Sequence, residues 1–200
     1  MELAVCQDLD AKTIAIPNNT RMRQKGLTLI ELLVTLTIVG VLVSLAVPGF
    51  TSFLAKRAIA ASLSDLASDF RLARSEALRR GRTVSICRSS NGTSCATSGS
   101  WSLGWIVFID PNPSSPPSVG TGDEVIRVQG APTGIASILG AAGADPTTGV
   151  TFQSTGWARA AGATLVFTPT FSGSSGSTRL FCISNQGRPS VRPEGTTACN

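Results

Sequence analysis

Histidine and tyrosine are both missing from this 200-residue chain. The lack of histidine removes the commonest general base and a leading metal ligand. No phosphate-binding loop, no HExxH and no GxSxG pattern compensates for it. Charge is scarce too, at 14% of residues, while glycine and proline together make 31 of the 200. Long helices throughout do not suit that composition; a β-rich, loop-rich body does. The formal charge is +5, and from Leu27 onward 13 Lys and Arg stand against 9 Asp and Glu, a net of +4. That is a mildly basic surface, not the footprint of a nucleic-acid coat. The length suffices for one ordinary domain plus an anchor.

What the sequence does have is one long apolar run. Leu27 to Val47 is 21 residues whose only charge is Glu31, and about 20 such residues cross a hydrocarbon core as a helix. Arg21, Arg23 and Lys25 lie just upstream, which orients the N-terminus to the cytoplasm and the C-terminus outside. A secretory signal, with Ser44-Leu45-Ala46 as its small-residue cleavage site, competes with this reading, and so does a buried core helix. Glu31 weighs against both. A carboxylate costs about 2.5–3.5 kcal/mol at a membrane-helix centre and less near the interface. A disposable segment has no reason to carry that cost, whereas a partner in the membrane would offset it.

Lys25-Gly26-Leu27-Thr28-Leu29-Ile30-Glu31-Leu32-Leu33 resembles the N-terminus of type IV pilins and type II secretion pseudopilins, a basic leader ending in Gly and then T-L-I-E-L-L. The likeness continues through Pro48, where family helices bend. It implies cleavage by prepilin peptidase between Gly26 and Leu27 and methylation of the new N-terminal Leu27, where the family most often has Phe. It also implies that Glu31 meets the positive N-terminal amine of a neighbouring subunit. Cleavage creates that amine, so Glu31 reads as an assembly residue. Residues 1–26 would be an unusually long leader. Met22 opens the shorter MRQKG, so translation is expected to start there, leaving Cys6 outside the mature protein.

After Pro48 the pattern stays helical. Ile59, Leu63, Leu66, Phe70, Ala73 and Ala77 recur at steps of 4, 3, 4, 3 and 4, one face of an amphipathic helix, expected to pack on the protein's own sheet. Arg79-Arg80-Gly81 is a helix stop. Beyond it the period shortens, and strands are expected at Thr83–Arg88, Gly104–Ile109, Glu124–Gln129, Val150–Gln153, Ala163–Thr168 and Arg179–Ser184. Phe171 to Ser177 reads as a hairpin loop, and Asp110 to Gly122, with four prolines, as a second long loop.

Gly104-Trp105-Ile106-Val107-Phe108-Ile109-Asp110 resembles the GWIVF-D block of the FimT/GspH minor pilins. Val150 to Gly156 and Leu180 to Arg188 resemble two further blocks, so the likeness covers most of Lys25 to Cys199. Trp105, Phe108, Phe152 and Phe181 read as core residues.

Cys87, Cys95, Cys182 and Cys199 permit three pairings, which the sequence leaves open; proximity favours 87 with 95 and 182 with 199. Disulfides suit the oxidising periplasm that the charge bias indicates. Zinc-type CxxC spacings are absent. Between the last two cysteines lies Gly187-Arg188-Pro189-Ser190-Val191-Arg192-Pro193, two arginines suited to grip phosphates. FimT-type pilins that act in natural transformation carry a DNA-binding G-R-x-R in this region; here the second arginine comes two residues later. Arg179, Arg159 and Arg88 are candidates to extend the patch. Without tyrosine or an aromatic series, DNA would be held sequence-independently and in a salt-sensitive way.

The expected architecture is α+β and type IV pilin-like: a leader at 1–26, a transmembrane helix at 27–47, an amphipathic helix at 48–80 and a β-rich periplasmic head at 81–200. The expected function is that of a non-catalytic subunit, without metal or cofactor, in a type IV pilus or type II secretion pseudopilus. Its partners would be other pilins, prepilin peptidase and the bacterial inner membrane, with a single pass. The alternative is a DNA receptor working through Arg188, Arg192 and Arg179 on double-stranded DNA.

Overall fold

The structure is a computed structural model that describes residues 26–141, 147–159, 163–170, 178–184, 186–193, 195–196 and 198–199. Met22, Cys6 and the expected loop Phe171 to Ser177 lie outside the described residues.

One helix, α1, spans Leu29–Arg80, and the chain divides after Val41 into two units. In the first unit every Leu, Ile and Val from Leu27 to Val41 is exposed. The most apolar 18-residue window of α1 has a mean hydropathy of 2.5, and none of it is buried. That stretch is long and apolar enough to cross a membrane.

The second unit starts at Leu42. Alanine, leucine and arginine dominate the later turns of α1 and favour helix strongly. The helix ends where Gly81 takes φ +63°, the left-handed geometry of a glycine cap, behind Arg79 and Arg80 at the negative helix end. Its stripe Ile59, Leu63, Leu66, Phe70, Ala73 and Ala77 is buried.

Nine strands follow among the described residues: β1 Val84–Arg88, β2 Gly104–Ile109, β3 Glu124–Gly130, β4 Ile135–Gly140, β5 Gly149–Phe152, β6 Ala158–Arg159, β7 Thr164–Pro169, β8 Arg179–Ile183 and β9 Pro189–Val191. They form two antiparallel sheets, ordered β3-β2-β1-β5-β6 and β4-β7-β8-β9. Phe70 of α1 joins them: its ring lies 6.3 Å from Phe152 of the first sheet and 5.6 Å from Phe181 of the second, with Trp101 also at 6.3 Å. Aromatic pairs at such separations add to the stabilisation from burial itself.

Strands β1 and β2 are buried along their whole length, because both faces of the first sheet are covered. Val84, Ile86, Trp105 and Val107 face the helix core. Cys87, Ile106 and Phe108 face the other way, under Cys95 and Val119 from two loops. This is why the GWIVFI run is continuously apolar and does not alternate.

Six strands fall within one residue of the expected bounds at each end. Three others were not expected. β4 mixes Ala136, Ser137 and Gly140 with its apolar residues, β6 has two residues, and β9 begins with Pro189, which an edge strand tolerates because it needs no inward N–H there. The arginine tail is therefore partly a strand, paired Phe181 to Val191 and Ile183 to Pro189.

Candidate functional site

The helix start is built by Thr28. It precedes α1, and its Oγ1 accepts the backbone N–H of Glu31 at 3.3 Å, closing one of the donors that a helix N-terminus leaves open. T-x-x-E is the spacing of a capping box, so the sequence carried the signal for Thr28, although the reading above singled out only Glu31. Glu31 thus sits in the first turn, where the helix dipole favours negative charge. Gly26 and Leu27, the two sides of the expected cleavage point, precede the helix and are exposed. Among the described residues no cation lies against Glu31, and all its apolar neighbours are exposed. A carboxylate placed this way can receive a cation from another molecule.

The arginines are split by the β8–β9 hairpin. Gly187 makes its turn at φ +72°, donating to the Ser184 carbonyl at 2.8 Å. A Cβ there would overlap the Phe152 ring and Ala158, so glycine is required both by conformation and by space. Arg188 follows, exposed, its N–H held by Ser184 Oγ at 3.1 Å. Arg192 is half-buried at the other end of β9, its N–H donating to the Leu180 carbonyl at 3.0 Å and its Nε shut off from solvent. Arg179 opens β8 beside that end and faces α1. The three candidates therefore do not form one cluster: Arg188 stands at the turn, Arg179 and Arg192 at the opposite end of the hairpin.

Arg159 is exposed beside a polar cleft of about 260 Å³. Arg88 is a correction. It does not extend a surface patch, because it is buried, with only 1% of its surface exposed. Its guanidinium donates to the carbonyls of Ala96 (3.1 Å), Gly99 (2.7 Å) and Thr97 (2.6 Å). Those carbonyls belong to the segment that follows Cys95, which the Cys87–Cys95 disulfide ties to the end of β1. Cys182 and Cys199 form the second disulfide and tie the end of the chain to β8.

A buried polar cluster lies where β1, β2 and β5 meet. Ser85 Oγ donates to Asp110 Oδ2 at 2.8 Å and lies 2.7 Å from Thr151 Oγ1. Burial pushes the Asp110 carboxyl above the usual carboxylate range; the Ser85 hydrogen bond works against this, and Asp123 adds to it. Among the described residues no group of three His, Cys, Asp or Glu side chains gathers as a metal site would need.

Comparison with known proteins agrees with the helix start and the head separately. A family model described as Prokaryotic N-terminal methylation motif matches residues 21–47. One described as Type II transport protein GspH matches residues 62–187, more than half of the chain. Two crystal structures of the Pseudomonas aeruginosa type IV minor pilin FimU, in space groups P21 and P65, are similar at 17% and 18% identity. Each match covers 66% of this chain, with 87% and 91% of the FimU chains and TM-scores of 0.47 and 0.45. With the methylation motif at its N-terminus and the family's domain in its head, this chain is a member of the GspH family of type II transport proteins.

Proposed function

We propose that the chain is a non-catalytic filament subunit of a type IV pilus or a type II secretion pseudopilus. It enters the inner membrane through residues 27–47 with its head in the periplasm. Prepilin peptidase cuts between Gly26 and Leu27, Leu27 is methylated, and Glu31 receives the new amine of a neighbouring subunit. The observation that carries this reading is Glu31 itself, the one carboxylate in the exposed apolar run that opens α1, at a capped helix start. A subunit that has not been cut offers no amine there, so the pairing admits only processed chains. The test is Glu31→Ala: the variant is cut at Gly26 but is depleted from sheared filaments. Normal incorporation of that variant would contradict the reading.

A second reading is favoured by the exposure of Arg188 on a turn that its neighbours hold. Arg188 and Arg192 stand just before and just after the three-residue edge strand β9, about 13 Å apart along an extended chain. That spacing suits two separated phosphates of a DNA backbone, with no reading of bases. Duplex binding that weakens as salt rises and is lost in Arg188→Ala/Arg192→Ala would support it. No binding at low salt would leave the arginines structural.

A further inference from the structure

The face of the first sheet turned away from α1 carries a polar cleft at the β5–β6 hairpin. It encloses about 260 Å³, and its lining includes Thr83, Pro113, Thr151, Gln153, Ser154 and Arg159. The hairpin register explains this grouping. Phe152 pairs with Ala158 and Thr151 with Arg159, and Phe152 and Ala158 belong to the helix core. Successive residues of a strand point to opposite faces, so Thr151 and Arg159 stand side by side on the outer one. One pair further on, the Gln153 N–H donates to the Trp157 carbonyl at 2.8 Å. That sets Gln153 opposite Trp157 on the same outer face. Trp157 is 58% exposed, whereas Trp101 and Trp105 are fully buried.

Hydrogen-bond direction then decides what the cleft can hold. A hydroxyl has one proton to give. Thr83 Oγ1 gives its proton to the Asp110 carbonyl. Ser85 Oγ gives its own to Asp110 Oδ2 at 2.8 Å, so in the 2.7 Å contact between Ser85 and Thr151 the proton comes from Thr151. Both threonine hydroxyls have thus spent their protons inward, and toward the cleft they can only accept. Arg159 is the reverse, because a guanidinium only donates. It is exposed, and among the described residues no hydrogen bond or ion pair engages it. The Gln153 amide offers both functions. A ligand that satisfies these groups brings hydroxyl donors to the threonines, an anion to Arg159 and an apolar side to Trp157.

We propose that the cleft binds an acidic sugar unit, a uronate of a polysaccharide. Arg159 takes the carboxylate, Thr83 and Thr151 accept from ring hydroxyls, and the C–H face of the ring lies on Trp157. A planar carboxylate matches the guanidinium fork, and an exposed indole supplies apolar area beside polar contacts. A DNA backbone brings anionic oxygens but no hydroxyls for the two acceptors, so the sugar acid fits better. This site uses neither Arg188 nor Arg192, and it stands whether or not the chain enters filaments.

The test titrates the full chain in detergent with a chain of three galacturonic acids, and with the neutral methyl ester of the same trisaccharide. Calorimetry gives the affinity. Since Trp101 and Trp105 are buried, a change in indole emission reports on Trp157. The expected result is that the uronate binds and shifts the emission, while the ester binds about tenfold more weakly or worse. Arg159→Gln weakens uronate binding about tenfold or more, the effect of losing hydrogen bonds to a charged group. Arg159→Lys recovers only part of it, Trp157→Ala also weakens binding, and Arg188→Ala/Arg192→Ala leaves it unchanged. Both substituted side chains are exposed, so intact disulfides and an unchanged thermal midpoint confirm that the variants are folded. No binding of the uronate, equal binding of the ester, or full binding by Arg159→Gln overturns the proposal. DNA that binds through Arg159 while the trisaccharide does not also overturns it, and makes the cleft part of a phosphate-binding surface.

Discussion

The indole Nε1 of Trp105 donates to Oδ2 of Asp69 at 2.8 Å, both residues buried where α1 meets the first sheet. The other oxygen of Asp69 faces Arg127, so one carboxylate ties the helix to β2 and β3 together. Trp105→Phe keeps most of the packing but leaves Asp69 short of a donor, and should lower stability by about 1–3 kcal/mol. Adding Asp69→Leu should recover part of that loss, because replacing both partners removes the unmatched group. Chemical unfolding of the two single variants and the double variant measures the coupling directly. Strictly additive losses would show that the bond contributes little.

Arg88 holds the segment just after the Cys87–Cys95 disulfide through three carbonyls. Arg88→Lys should lose most of what Arg88→Ala loses, since one ammonium cannot span a fork of divergent acceptors. We expect a loss of about 2 kcal/mol or more for either variant. Faster reduction of this disulfide, relative to Cys182–Cys199, is the accompanying sign in a thiol titration.

Two carboxylates give stability slopes of opposite sign. Glu76, held by Arg79 and Arg80, is lowered from 4.5 to about 2. Its contribution is present above 4.5 and fades as pH falls toward 2, more weakly than the shift implies because the pair is at the surface. Asp110 is raised above 3.8 by burial. Its contribution is full below 3.8 and is lost as pH rises through the raised folded value. Thermal unfolding from acid to neutral pH should therefore flatten at the acid end in Glu76→Gln. In Asp110→Asn the midpoint should rise, relative to the parent, as pH increases.

Gly187→Ala combines a left-handed backbone with overlap on Phe152. The conformation alone costs about 1–2 kcal/mol, and the overlap adds to it, so the variant should unfold earlier than one at the open Gly195. A midpoint unchanged by Gly187→Ala would mean that the hairpin turn adapts, and that Arg188 is not held as described.

Much of the head could be read from its sequence because local rules and tertiary packing agree there. The stripe Ile59, Leu63, Leu66, Phe70, Ala73 and Ala77 is buried as its period indicates, and β2 occupies Gly104–Ile109 as its apolar run indicates. Strand β9 was not legible, since Pro189 argues against a strand until the pairing shows it at an edge. Arg88 was misplaced for a related reason. An arginine beside a cysteine reads as surface, and only a loop folded over it brings three carbonyls within reach.

The sequence by itself determined the apolar run, the charge before it, Glu31 and the motif around Gly26, and the period of the helix face. These are short-range patterns, spelled out in neighbouring residues. Only the tertiary structure decided that Asp69 lies under Trp105, that the three candidate arginines are divided by a hairpin, and that Arg88 is buried among three carbonyls. Each of those depends on residues that are not neighbours in the chain, brought together by folding. No local pattern encodes which faces will meet.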